Sequence, residues 1–406
     1  MIGFLVAKLY FYYQLLVCRT LVRFVILFNI FEAHLKCCSL YLVSSNMLFL
    51  QNISLTQFKN YSQRIFDFDE RIVCICGNNG AGKTNLLDAI HYLCFTKSYF
   101  TRSDLNSTQQ GQIGFRIEGD LSLLGKEEKA VCIFRETGKK EFYVNENQYE
   151  KFSRHIGHYP CVTIAPDDAL LIVGGSEERR KFLDELLSQL DTIYLQNLIA
   201  YNKTLQQRNS LLRTFAETGI KDFALLDVLD EQLTKPGEYI FNKRKEFLIY
   251  FLPIVKHLYE DISHQPEDVN LFYESELLQG SLTELLKATR QKDCLAQRTT
   301  SGIHRDDIDI YLGKQLFRII ASQGQRKSLL FALKLAEMEA LKKEKNFSPL
   351  LLLDDVFEKL DEGRIANLLS KVCLENDGQV FITDTNEERI KQHLDDLSVT
   401  YQLIKL

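Results

Sequence analysis

The run Gly77-Asn78-Asn79-Gly80-Ala81-Gly82-Lys83-Thr84 has the spacing G-x-x-x-x-G-K-[ST] of a phosphate-binding loop. Its glycines let the backbone turn tightly, so that successive N–H groups converge on phosphate oxygens. A helix that begins at the loop adds the positive end of its dipole. Lys83 would reach the β- and γ-phosphates, and the Thr84 hydroxyl would take Mg²⁺. The chemistry is nucleotide binding, with ATP and Mg²⁺ as the expected cofactors.

A second pair of residues fits the same chemistry. Leu350-Leu351-Leu352-Leu353 ends in Asp354-Asp355. Four apolar residues closing on a carboxylate form a buried strand that carries Asp354 to the P-loop, where it would hold Mg²⁺, usually through water. Asp355 would orient and polarise the attacking water; a helix N-cap is its plainer role. Many ATPases of this kind have Glu at that position, and the shorter Asp implies a slower or more geometry-dependent reaction.

Ser322-Gln323-Gly324-Gln325 resembles the ABC-type signature, commonly Leu-Ser-Gly-Gly-Gln, with Gln323 in place of the first glycine. Ser322 at a helix N-terminus offers a hydroxyl, backbone N–H groups and a dipole to a γ-phosphate. In ABC ATPases that phosphate belongs to the opposite subunit. Ser322, Gly324 and Gln325 are therefore expected to act in trans, with ATP joining a homodimer. Glu358-Lys359-Leu360-Asp361 falls at the position of a D-loop. Thr383-Asp384-Thr385 replaces the switch His of ABC transporters, so the γ-phosphate sensor is left open.

These groups need elements to hold them. Ile72–Cys76 reads as a buried strand before the P-loop, and Leu86, Leu87, Ile90, Leu93 and Cys94 as the apolar stripe of the helix after it. Leu48–Leu55 and Tyr61–Phe68 suggest paired strands. Ile113–Ile117, Ala130–Phe134, Phe142–Val144 and Cys161–Ile164 suggest more, with a turn at Asn145-Glu146-Asn147. From Ser176 to about Lys292 strand signal is sparse. Leu183, Leu187, Leu190, Tyr194, Leu198, Tyr201 and Leu205 step by three and four. One helix over Ser176–Arg213 would be about 55 Å long, which predicts a helical arm packed against Leu225–Leu252 and Pro253–Ile262. Its basic residues Arg179, Arg180, Lys181, Lys203, Arg208 and Arg213 form either a solvated face or a DNA-facing patch; the DNA-contact residues themselves stay unassigned. Strand signals return at Ile308–Leu312, Gly378–Thr383 and Val399–Ile404, with a helix over Ser328–Lys345.

The whole chain sets limits. Its 406 residues are 46% hydrophobic and 25% charged, with a formal net charge of −5. That is globular and excludes a uniformly basic nucleic-acid binder, so any DNA contact must use a local patch. The 10 cysteines are scattered, without zinc-ligand spacing, and read as reduced, buried thiols. Residues 1–46 are aromatic and aliphatic, interrupted by Lys8, Arg19, Arg23, Glu32 and Lys36. The uncharged runs Leu9–Cys18 and Phe24–Phe31 fall short of the roughly 20 apolar residues of a spanning helix. A signal peptide is one reading; the preferred one is a mis-called extension, with translation starting at Met47. The expected divisions are 1–46 as this extension, 47–175 and 301–406 as two parts of an ATPase head, and 176–300 as the arm.

Together these residues are similar to the RecF family of bacterial DNA replication and repair ATPases, related to SMC heads. The similarity rests on Phe58–Tyr61, the P-loop, Thr96–Arg102, Ala165–Asp168, Gly175–Asp184, Gln207–Leu212, Gly302–Asp307, Ser322–Lys327 and Leu352–Phe357. Arg179–Asp184, Arg208–Leu212 and His304–Asp307 are its specific parts. The resemblance implies an α/β ABC-type head, a mixed sheet with an antiparallel lobe, carrying an inserted helical arm. It implies a cytoplasmic protein that binds single-stranded, gapped or junction DNA as an ATP-driven dimer. Weak hydrolysis would reset that dimer, and there is no membrane partner. RecR and RecO are implied as partners in loading RecA, with roles at replication forks and in SOS induction. A transporter ATPase subunit would lack the arm and carry the switch His. An SMC-like tether would need hundreds of heptad residues, and a nuclease of related head type an appended acidic metal cluster.

Overall fold

The computed structural model describes residues 47–263, 267–355, 357 and 362–406. Residues 1–46 and the expected D-loop, 358–361, lie outside the described residues. Leu48–Phe58 (β1) and Tyr61–Asp67 (β2) form an antiparallel hairpin. Ile72–Cys76 (β3) has all five side chains buried. Phe115–Leu123 (β4), Lys126–Phe134 (β5), Lys140–Val144 (β6) and Asn147–Gln148 (β7) complete a six-stranded antiparallel sheet, ordered β2-β1-β4-β5-β6-β7. The β6–β7 turn places Asn145 and Glu146 at positive φ of 49° and 67°, as a tight two-residue hairpin requires.

A second sheet is parallel. Cys161–Ile164 (β8), Leu350–Leu353 (β12), Val380–Asp384 (β13) and Gln402–Lys405 (β14) join β3 in the order β14-β3-β13-β12-β8. The side chains of β3, β8, β12 and β13 are all buried, which is why they read as unbroken apolar runs rather than alternating ones. Lys83–Phe95 (α1) leaves the P-loop and packs its apolar face between the two sheets, with Leu86, Leu87, Ile90 and Leu93 in the same core as β1, β3 and β4.

The helical segment departs from expectation in three places. Ser176–Leu190 (α2) and Thr192–Thr218 (α3) are separate helices, not one over Ser176–Arg213. Asp191 is extended at φ −134° and caps α3, accepting the Ile193 and Tyr194 N–H groups at 2.8 and 3.1 Å; the periodicity carries through a break that one Asp cap makes. Phe223–Ser263 (α4) is continuous over 41 residues, although Pro236 and Pro253 lie within it. Buried Phe251, Val255 and Leu258 on either side of Pro253 hold the helix together by packing where a ladder bond is missing. The third departure is Val269–Glu274 (β9), a strand inside the expected all-helical stretch. It pairs with Asp307–Leu312 (β10), which pairs with Gln315–Leu316 (β11). Leu282–Ala296 (α5) closes the segment with a Ser281–Glu284 capping box.

Gln323–Lys345 (α6) packs against α4 and β8, and Glu362–Leu369 (α7) and Glu387–Asp396 (α8) follow. Among the described residues the cysteines are free thiols, and all but the half-buried Cys294 are buried. No helix among them is long and apolar enough to cross a membrane.

Candidate nucleotide site

The P-loop spans the gap between the end of β3 and α1. Gly80 and Gly82 have φ of +81° and +110°, a region that L side chains rarely adopt. A Cβ on Gly82 would also lie 2.6 Å from Asn60 Nδ2 and 2.7 Å from the Tyr61 hydroxyl. Those two side chains brace the loop. Tyr61 donates to the Gly82 carbonyl at 3.0 Å, Asn60 Nδ2 to the Ala81 carbonyl at 3.2 Å, and Asn85 ties back to Asn60 at 2.7 Å. Neither brace was assigned a role from sequence; the signal available was two polar-tipped residues at a hairpin turn beside the loop.

At the mouth of α1 no side chain caps the helix and no acidic residue occupies its first turn. The amide groups there are left for an anion. Lys83 is buried and folds back over the loop, its Nζ donating to the Gly77 carbonyl at 3.0 Å and lying 3.4 Å from that of Asn78. Asn78, Asn79 and Gly80 stay exposed.

The P-loop and the acid that ends β12 meet directly. Thr84 Oγ1 lies 3.0 and 2.9 Å from the two carboxylate oxygens of Asp354. Thr383, on the neighbouring strand β13, donates to Asp354 Oδ1 at 2.9 Å and accepts the Asp355 N–H at 2.9 Å. Burial pushes the Asp354 carboxyl above the usual range, and the Thr383 and Thr84 hydroxyls pull it back. A buried carboxylate whose hydrogen-bond partners are hydroxyls suits a hard divalent cation. Thr383 is thus committed to the two acids, and the Asp384 side chain to a fork with Arg389 at 2.7–3.2 Å.

Asp355 sits at positive φ, 44°. It lines a cavity of about 320 Å³ with Gln323, Arg326 and Lys327 of α6 and with Ala165 and Pro166 after β8. Ser322 caps α6: its Oγ accepts the Gln325 N–H at 3.2 Å while Gln325 Oε1 accepts the Ser322 N–H at 2.7 Å. Gln325 Nε2 reaches Glu267 at 3.0 Å. Gly324 is tight: a Cβ there would come within 2.1 Å of an Arg364 nitrogen. Ser322 is exposed.

A buried polar chain links α1 to α6. Asp88 of α1 accepts from Ser98 at 2.6 Å and from the Tyr99 N–H at 2.7 Å, and pairs with Lys59 at 2.6 Å. The Tyr99 hydroxyl bonds Asp168. Lys334 of α6 lies 3.9 Å from Asp168 and 3.5 Å from Glu337. Burial pushes Glu337 up to about 7 despite Lys334.

The arm's basic residues divide. Lys181, Lys203 and Arg213 are exposed, but Arg179 and Arg208 are buried and belong to neither a solvated face nor a DNA patch. Arg179 forks onto Asp307 at 2.7 and 3.0 Å. Arg208 bonds Asp230, Asp293 and Thr299 at 2.6, 2.7 and 2.9 Å. Arg244, which sequence reasoning passed over, bonds Asp184, Asp306 and the Ile303 carbonyl at 2.7–2.9 Å. His304 joins Tyr201 at 2.8 Å and the Thr299 carbonyl at 3.2 Å.

A family model for the RecF/RecN/SMC N-terminal domain matches residues 49–403. The DNA replication and repair protein RecF of Flavobacterium johnsoniae is 44% identical over 357 residues, covering 88% of this chain and 99% of that protein. The chain belongs to the RecF family. RecF of Parabacteroides distasonis is 41% identical over 359 residues, 88% of this chain and 97% of that one. A solved structure of the recombination mediator protein RecF with ATP, in the RecFOR pathway, superposes with a TM-score of 0.77 at 31% identity, covering 84% of this chain and 93% of that one. The fold is accordingly the ABC-type ATPase head of RecF and SMC proteins, as expected. In this RecF-family chain the three stretches specific to the resemblance converge on the Arg179, Arg208 and Arg244 ion pairs. Arg179 and Arg244 tie α2 and α4 to the 302–307 segment through Asp306 and Asp307, and Arg208 ties α3 to α4 and α5 through Asp230 and Asp293.

Proposed function

We propose that this RecF-family chain is an ATPase of DNA repair and replication that binds DNA in an ATP-dependent way as a homodimer. The observation that carries the reading is the Thr84–Asp354 contact, which brings a P-loop and an acid-ended strand together across 270 residues. ATP would lie on the P-loop amides from Gly77 to Thr84, with Lys83 leaving its loop carbonyls for the β- and γ-phosphates. Thr84 and Asp354 would hold Mg²⁺, which supplies charge neutralisation on the phosphates. Asp355 would orient the attacking water; the bond from its backbone N–H to Thr383 at 2.9 Å supports that reading. Ser322, Gly324 and Gln325 would meet the partner subunit's nucleotide.

The finer reading follows the family. Residues 47–175 and 301–406 act as the head and 176–300 as the arm, in a cytoplasmic protein. Hydrolysis is weak and resets a dimer on single-stranded, gapped or junction DNA, and RecR and RecO are the partners in loading RecA and inducing SOS. The relatives' names support the part in DNA replication and repair, and the ATP-bound RecF structure of the RecFOR pathway supports ATP binding and the RecR and RecO partnership; the rest follows the family resemblance. The test pairs nucleotide binding with DNA retention. Lys83→Ala should abolish both. Asp355→Asn should keep ATP binding and slow turnover by roughly 10²–10⁴, as loss of a positioned acid–base group does. Unchanged turnover would remove Asp355 from the water-activating role.

A further inference from the structure

At the end of α1 remote from the P-loop, a cavity of about 650 Å³ opens between the 152–156 turn, α2 and α3. The 13 residues of α1 separate it from Lys83 by about 20 Å at 1.5 Å per residue. It is therefore not part of the ATP site. One wall is apolar, made by Phe95, Phe152, Ile156, Leu195 and Leu198. The other is the charged face of α2. Two of its carboxylates are paired with cations from other segments: Glu185 with Lys97 at 2.9 Å, and Asp184 with Arg244 at 2.7 Å.

The two cations of this face, Arg180 and Lys181, have no ion pair among the described residues. Arg180 gives one N–H to the Asp306 carbonyl at 2.6 Å and has no ion pair among the described residues. Burial, and then the neighbouring Arg244 guanidinium, push its pKa down. Exposed Lys181 beside it has no ion pair either. Glu177, one turn earlier on α2, is the lining carboxylate left outside an ion pair, so cations exceed anions in the unpaired set.

We propose that this cavity docks an acidic peptide segment of a protein partner, with an apolar side chain against Leu195 and Leu198 and a carboxylate on Arg180 and Lys181. An apolar anchor in a pocket supplies affinity, and complementary charge at its edge supplies orientation. The volume lies in the range of sites that enclose a few side chains. DNA fits less well. Single strands bind by stacking bases on aromatic faces. Here Phe95 is stacked on His91 with centroids 4.4 Å apart, and the Phe152 ring carries Lys140 Nζ at 5.4 Å.

The test is fluorescence polarisation with the full chain and a fluorescein-labelled Gly-Asp-Asp-Leu-Phe amide. Its controls are Gly-Lys-Lys-Leu-Phe amide and Gly-Asp-Asp-Ser-Ser amide. The acidic apolar peptide should bind about tenfold more tightly than either control. Lys181→Glu, at an exposed position that leaves the fold alone, should cost about fivefold, and Leu198→Glu should cost at least as much. ATP binding should be unchanged in both. Equal affinity for the three peptides, or affinity unmoved by both substitutions, overturns the proposal. Displacement by oligothymidylate at stoichiometric concentration also overturns it and assigns the cavity to DNA.

Discussion

Thr84 and Asp354, 270 residues apart, stand within hydrogen-bond distance through both carboxylate oxygens, at 3.0 and 2.9 Å. Thr383 supports the pair from β13 by donating to the same Asp354 Oδ1. Partners behind a metal ligand set its orientation, and losing one typically costs about 10–100-fold in metal affinity. Thr383→Val keeps the shape and removes the bond. It is expected to raise the Mg²⁺ concentration needed for half-maximal ATP binding by that factor. Magnesium titrations monitored with a fluorescent ATP analogue check this; an unchanged midpoint would show that Thr383 does not position Asp354.

Lys334 is the cation between the Asp168 loop and Glu337. Removing one member of a buried charge set typically costs about 3–5 kcal/mol, because its partners stay buried and uncompensated. Lys334→Met should therefore lower stability by that order, and Lys334→Met with Glu337→Gln by less. Nucleotide binding to the untouched P-loop should survive in both, while ATP-driven dimerisation should weaken, since the chain from Asp88 to α6 is cut. Urea unfolding read beside sedimentation separates the two effects. A single variant no less stable than its double would contradict the ion-pair reading.

Arg208 and Lys203 lie on the same helix and should behave differently. Arg208→Ala leaves Asp230 and Asp293 without their shared partner, so a loss of about 3–5 kcal/mol is expected. Exposed Lys203→Ala should change stability by less than about 0.5 kcal/mol. If Lys203 meets DNA phosphates, the salt dependence of DNA binding should become shallower by nearly one counterion. Thermal melts and salt titrations of both variants decide the matter.

Acid should destabilise the fold. Burial lowers His91, His155 and His304 to about 4. Between that value and the ordinary 6.5, the unfolded chain binds protons that the folded one does not, so stability falls as pH drops through this window. Glu337, raised to about 7, has the opposite sign: its folded form is protonated first, so it gains stability as pH falls from about 7 toward 4.5. Three imidazoles outweigh one carboxyl. Urea midpoints should decrease from pH 6.5 to pH 5, and Glu337→Gln should steepen the decrease. A flat profile in the parent chain would contradict the buried, neutral histidines.

Much of the site was legible because its signals are local. Gly77–Thr84 carries its own backbone requirement, Leu350–Leu353 reads as buried on both faces, and Ser322 reads as the start of a helix, where the structure closes a capping box with Gln325. What escaped depends on partners distant in sequence. Arg208 reads as one more surface cation until Asp230 and Asp293 fold over it. β9 is short and alternates burial weakly, and β10 makes it a strand. The break at Asp191 falls inside an apolar rhythm that continues on both sides. Asn60 and Tyr61 gain meaning only when the β1–β2 turn lands on Gly82.

The central claim is that ATP joins two copies of this chain through Ser322 of one and the P-loop of the other. Sedimentation velocity with ATP and Mg²⁺, on Ser322→Arg beside Lys83→Ala, tests it most directly. Lys83→Ala should bind no nucleotide and stay monomeric. Ser322→Arg should bind ATP nearly as the parent does, because its P-loop is intact, yet remain monomeric with a bulky cation at the contact. Residual DNA binding by that monomer should be weak and fall steeply with salt. A Ser322→Arg protein that still sediments as an ATP-dependent dimer would contradict the account and leave Ser322 as a helix cap alone.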